Sequence, residues 1–133
     1  MPRFVLLEHT GHPDDPAGLH YDLLLEDPAL AGGPACRTWR LAEIPRAGGG
    51  PVAAQELPPH RLEWLEREEG AVSGNRGFAR RIDAGTYEPI ATPLEPAAEH
   101  RIRLRGTHLS GELKIAPTPA GLHAWLRASI PGS

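Results

Sequence analysis

Glycine and proline occupy thirty of the 133 positions, fifteen each, about twice their ordinary share. Proline inside a helix forfeits a hydrogen bond and clashes with the preceding turn, and glycine there costs roughly 1 kcal/mol against alanine. A chain interrupted this often is built from short strands and turns rather than from long helices. Small all-β domains hide their strand edges by closing the sheet. The predicted fold class is therefore mostly β: a compact antiparallel β-barrel with one or two short helices, a single domain over residues 1–133. Aromatic residues make up only 5% of the chain, so the core falls to Leu, Ile, Val and Ala, with Trp39, Trp64 and Trp125 as its large units. The opening Met-Pro-Arg-Phe leads into no long apolar run; neither a signal peptide nor a membrane partner is expected, and the expected location is cytoplasmic.

The periodicity divides the chain further. Arg3–His9 is a short apolar strand ended by the turn formers of Thr10–Pro16. Leu19–Glu26 alternates His20, Asp22 and Leu24 on one face with Tyr21, Leu23 and Leu25 on the other, a hairpin partner for the first strand. Gly48-Gly49-Gly50 is a loop, and with no Gly-Lys-Ser/Thr after it, not a phosphate loop. Pro58–Gly70, with proline at its start and glycine after its end, is predicted as a short helix, although Leu62, Trp64 and Leu65 suit helix and strand alike. Phe78–Ile82 and Thr86-Tyr87 read as strands about a turn at Asp83-Ala84-Gly85. Arg101, Arg103 and Arg105 alternate with Ile102 and Leu104 before a turn into Leu109–Ile115, which gives a hairpin with one basic face. Thr118 as N-cap, Pro119 after it, and Leu122, Trp125 and Leu126 at helical spacing predict a short closing helix.

A net charge of −3 argues against a sequence-independent DNA coat. The bases nevertheless cluster, at Arg76, Arg80 and Arg81 and again at Arg101, Arg103 and Arg105, where any phosphate-tracking surface would be built. Cys36 is the single cysteine, so no internal disulfide forms and it is assigned no role.

Two residues apart on one strand, His20 and Asp22 project from the same face and can grip one ion. A His-x-Asp pair alone also suits the solvated face of an amphipathic strand. His9, at the end of the preceding strand, adds a third candidate ligand across the hairpin, and the nitrogen–oxygen donor set suits Zn, Mn or Fe. No Gly-x-Ser-x-Gly, Cys-x-x-Cys, His-Glu-x-x-His or Gly-x-Gly-x-x-Gly pattern offers competing chemistry.

The order of these motifs resembles the 3′-phosphoesterase domain of bacterial DNA ligase D. In that family an Arg-Phe-Val-x-x-x-His run precedes Leu-His-Tyr-Asp-Phe-Arg-Leu-Glu; here the two stretches are Arg3–His9 and Leu19–Glu26. Arg37-Thr38-Trp39, His60–Trp64, Asp83–Glu88 and Leu104–Leu113 extend the similarity over most of the chain. The resemblance implies a β-barrel that trims DNA 3′ ends, some of them RNA-terminated, by removing a terminal ribonucleotide and a 3′-phosphate. It implies His9, His20 and Asp22 as ligands of a divalent metal, typically manganese with zinc as an alternative, and His60 as a phosphate contact. The basic faces would then hold the DNA backbone, and a DNA ligase or end-joining protein in trans would seal the product.

The chain departs from that family at three places. The family's arginine two residues beyond the metal-binding Asp is Leu24, and a guanidinium fork has no substitute in an isobutyl group. The family's tyrosine four residues after the phosphate-contacting His is Trp64. An apparent loop insertion over Gly11–Gly18 separates His9 from His20 and introduces His12 as a rival ligand. Arg40 or Arg61 could take over the phosphate from another strand, and the alternative function is a non-catalytic DNA-end or metal-binding accessory module.

Overall fold

The computed structural model describes residues 2–11, 18–27, 35–66, 69–71, 77–90 and 99–128. Its strands are β1 (Arg3–Thr10), β2 (Leu19–Asp27), β3 (Ala35–Leu41), β4 (Val52–His60), β5 (Glu69–Ala71), β6 (Phe78–Pro89), β7 (His100–Gly106), β8 (Ser110–Thr118) and β9 (Gly121–Arg127). They lie in the order β1-β2-β3-β4-β9-β8-β7-β6-β5, all antiparallel, and β6 returns to pair with β1. Eight strands thus close into the expected barrel, with β5 as a ninth strand beside β6. Among the described residues, no helix is long and apolar enough to cross a membrane.

The run Phe4-Val5-Leu6-Leu7 is buried throughout, which a strand permits only if both of its faces are covered. Phe4 and Leu6 point into the barrel, where they join Leu23, Trp39, Leu104 and Leu113. Val5 and Leu7 point outward into a second cluster with Leu24, Cys36, Leu65 and Ala79. A four-residue 3-10 helix (Leu62–Leu65) supplies Leu65 to this outer layer, with Leu62 and Trp64 packed against it. The outer face of β1 and β2 is therefore dry around its middle, and this is the face that carries the candidate ligands.

Three expectations are corrected. The predicted helix over Pro58–Gly70 is reduced to that single 3-10 turn, because β4 continues through Pro58 and Pro59 to His60. The closing helix is instead β9: Thr118 ends β8, its Oγ1 accepts from the Ala120 amide and donates to the Gly121 carbonyl, and Gly121 turns the chain at φ +115°. The predicted turn at Asp83–Gly85 is absent, and β6 runs unbroken with a register shift opposite Leu6 and Leu7. There the buried Asp83 carboxylate accepts from the amides of Ala84, Thr107, His108 and Leu109, tying β6 to the β7–β8 turn. Glycine is required at position 85, where a Cβ would collide with the Arg105 carbonyl of β7.

Candidate metal centre

His9 and His20 are direct register partners across β1 and β2, and Asp22 follows on the same outward face of β2. All three are buried, at 5%, 3% and 3% exposure. His9 Nδ1 lies 3.0 Å from His20 Nε2 and 3.4 Å from Asp22 Oδ2, and His20 Nε2 lies 3.6 Å from Asp22 Oδ1. One donor atom from each residue lies within 4.8 Å of the others. Donors held ~2.1 Å from a shared ion stand ~3.0 Å apart at right angles and ~3.4 Å apart at tetrahedral angles. The spacings found here match that geometry, and two imidazoles with one carboxylate form a donor set for a borderline divalent cation.

Charge at the site supports the same reading. Asp22 is paired across β2 and β3 with Arg40, whose Nε lies 3.8 Å from Asp22 Oδ1, too far for a hydrogen bond. Both of these atoms are buried without a hydrogen-bond partner. A buried carboxylate oxygen lacking a donor is costly, and a cation offsets that cost directly.

Other expected site residues lie elsewhere. His60 pairs with Cys36 at the far end of β3, two strands across and four residues along from Asp22, roughly 16 Å by strand spacing and rise. Its ring Nδ1 sits 3.1 Å from the Pro58 carbonyl oxygen, so the structure does not bring it to the triad. Leu24 is fully buried in the outer cluster, with Trp64 packed against that cluster. Arg61 is 83% exposed and faces Glu63 at 3.7 Å, whereas Arg40 adjoins the triad. His12 and Arg76 lie outside the described residues.

The expected basic faces are interleaved with acids. Arg80 bonds Glu8, Arg101 bonds Glu99, and Arg103 and Arg105 share Glu88 at 3.2 and 2.7 Å; Arg81 donates to the Leu65 carbonyl. At the other end of β2, a cavity of about 310 Å³ opens at the barrel mouth over Trp39, Tyr87 and His100, a feature with no signal in the sequence. Burial there, reinforced by Arg37, lowers the His100 pKa below its ordinary value.

No protein-family model and no curated protein matches this chain.

Proposed function

We propose that this protein is a divalent-metal-dependent phosphoesterase that processes DNA 3′ ends, removing a 3′-phosphate or a terminal ribonucleotide, like the ligase D domain its sequence resembles. The observation that carries the proposal is the buried His9–His20–Asp22 cluster, whose donor spacings match those around one ion. His9 Nδ1, His20 Nε2 and the Asp22 carboxylate would hold the cation, manganese by the family resemblance with zinc as the alternative that the imidazole donors also suit. When bound, such a cation supplies Lewis-acid charge against a phosphoryl oxygen. The protein fixes the donors on two paired strands, so little side-chain entropy is lost on binding. Because His60 stands apart from the cluster, it has no proton-transfer role in this proposal. The setting would be cytoplasmic, with a ligase or end-joining partner acting on the trimmed end.

The test is release of phosphate from a DNA primer ending in 3′-phosphate, with Mn supplied. Turnover by the wild type that is lost in His20→Ala supports the proposal. A metal-loaded wild type with no turnover favours an accessory module that binds metal or DNA ends. Two observations favour that second reading: Leu24 is locked in the outer core, and Arg80, Arg101, Arg103 and Arg105 of the expected basic faces are all engaged by glutamates.

A further inference from the structure

We propose that Arg40, reaching in from β3, is the residue that grips the anionic group of this site's ligand, and that the group it holds best is a terminal phosphate monoester. The inference rests on the phosphoesterase reading above and deepens it.

Arginines on the barrel strands are otherwise hydrogen-bonded: Arg3 to Glu26, Arg37 to Glu56, Arg80 to Glu8, Arg103 to Glu88, Arg127 to Glu112, and Arg81 to the Leu65 carbonyl. Arg40 is the exception, with no hydrogen bond among the described residues and only the 3.8 Å approach to Asp22. Its side chain is 26% exposed, so the guanidinium is largely desolvated yet still open to solvent on one side. Leaving a charged donor buried and unbonded costs more than leaving a neutral one. The two unpartnered atoms make opposite demands: Asp22 Oδ1 calls for positive charge, and Arg40 Nε–H calls for an acceptor. A cation on the triad with an oxyanion beside it meets both demands at once.

The monoester follows from counting oxygens. A planar guanidinium fork engages two oxygens together. A terminal phosphate has three free oxygens, enough for the fork and for the cation with none shared, whereas an internal diester has two and must share one between them. Arg40 thus supplies from β3 what Leu24 cannot supply from β2.

The experiment is titration of inorganic phosphate into metal-free and Mn-loaded protein, followed by calorimetry, with Mn affinity measured on the same samples. Wild type, Arg40→Gln, Arg40→Lys and Arg61→Gln are compared. Arg40→Gln is expected to weaken phosphate binding at least about tenfold. Arg40→Lys should fall between it and wild type, and Arg61→Gln should match wild type. Mn affinity in Arg40→Gln should hold or tighten, because one positive charge beside Asp22 has gone. Where Arg40→Gln fails to fold, Arg40→Lys carries the comparison. Wild-type phosphate affinity in the Arg40 variants overturns the proposal, as does a parallel loss of Mn affinity, which would make Arg40 only a brace for Asp22. Absence of phosphate binding by wild type also overturns it, and dimethyl phosphate binding as tightly as phosphate overturns the monoester assignment. Phosphate binding that depends on Arg40 in a wild type taking up no Mn would sink the metal reading and leave the anion grip standing.

Discussion

His9 Nδ1 and His20 Nε2 face each other at 3.0 Å across a direct register pair of β1 and β2, with their rings 4.5 Å apart between centroids. A shift of one residue in that pairing would turn one of the two imidazoles to the opposite face. The apolar pattern pins the register, because Val5 and Leu24, paired further along the same strands, are both buried in the outer cluster. The chemistry of the site is thus inherited from the packing of the hairpin.

Leu24 makes that dependence measurable. Leu24→Ala should destabilise the protein by about 2–4 kcal/mol through the lost transfer energy and the cavity left behind. Leu24→Arg, which restores the arginine of the resembling family, should be destabilised by more than that, since it places an unpaired cation among Val5, Leu7 and Leu65. Urea unfolding midpoints check both. A Leu24→Arg variant as stable as wild type would show that the outer cluster is not tightly packed around position 24.

Asp83 holds four backbone amides with one carboxylate. Asp83→Ala leaves those donors without their acceptor and should cost about 3–5 kcal/mol; Asp83→Asn, keeping one oxygen, should cost less. Hydrogen exchange provides the local check: protection of the Thr107, His108 and Leu109 amides should fall first.

The region joining β1, β2 and β6 contributes at both ends of the pH–stability curve. Hydrogen bonds from the Arg3 side chain hold the Glu26 carboxyl below its ordinary value of 4.5. Its contribution is fully present above the unfolded pKa and is lost as pH falls through the lower folded value. Tyr87 donates to the Glu26 carbonyl oxygen at 2.7 Å, and burial pushes its hydroxyl up to about 12. Its contribution is present below the ordinary value of 10 and is lost as pH rises toward 12. Tyr87→Phe should therefore flatten the alkaline limb and leave the acid limb in place, and Glu26→Gln should do the reverse, as read from thermal midpoints across pH.

The hairpin β7–β8 was legible because its alternation matches period two, and β1–β2 because a short apolar run and an alternating strand flank a loop rich in Gly and Pro. The triad was legible for the same reason, since the spacing of His20 and Asp22 fixes a common face. Thr118-Pro119 misled because the pair serves equally as a helix start and as a hairpin turn, and Leu122, Trp125 and Leu126 fit helical spacing. In β9, Ala124 and Leu126 face the core, while Trp125 lies outside, 5.6 Å from Lys114 Nζ. The position of His60 relative to the triad was not legible, because its local motif carries no information on where β4 sits in the sheet. Arg40 was narrowed only to two candidates: its parity opposite Trp39 was readable, but its register against Asp22 depends on how β2 and β3 pair.

The most direct test of the candidate metal centre is elemental analysis of protein loaded with Mn and freed of excess metal, for wild type, His20→Ala and Asp22→Ala, each shown by circular dichroism to be folded. Stoichiometric metal is expected in the wild type, with loss of it in both variants. A wild type that retains no metal, or folded variants that retain as much as wild type, would contradict it.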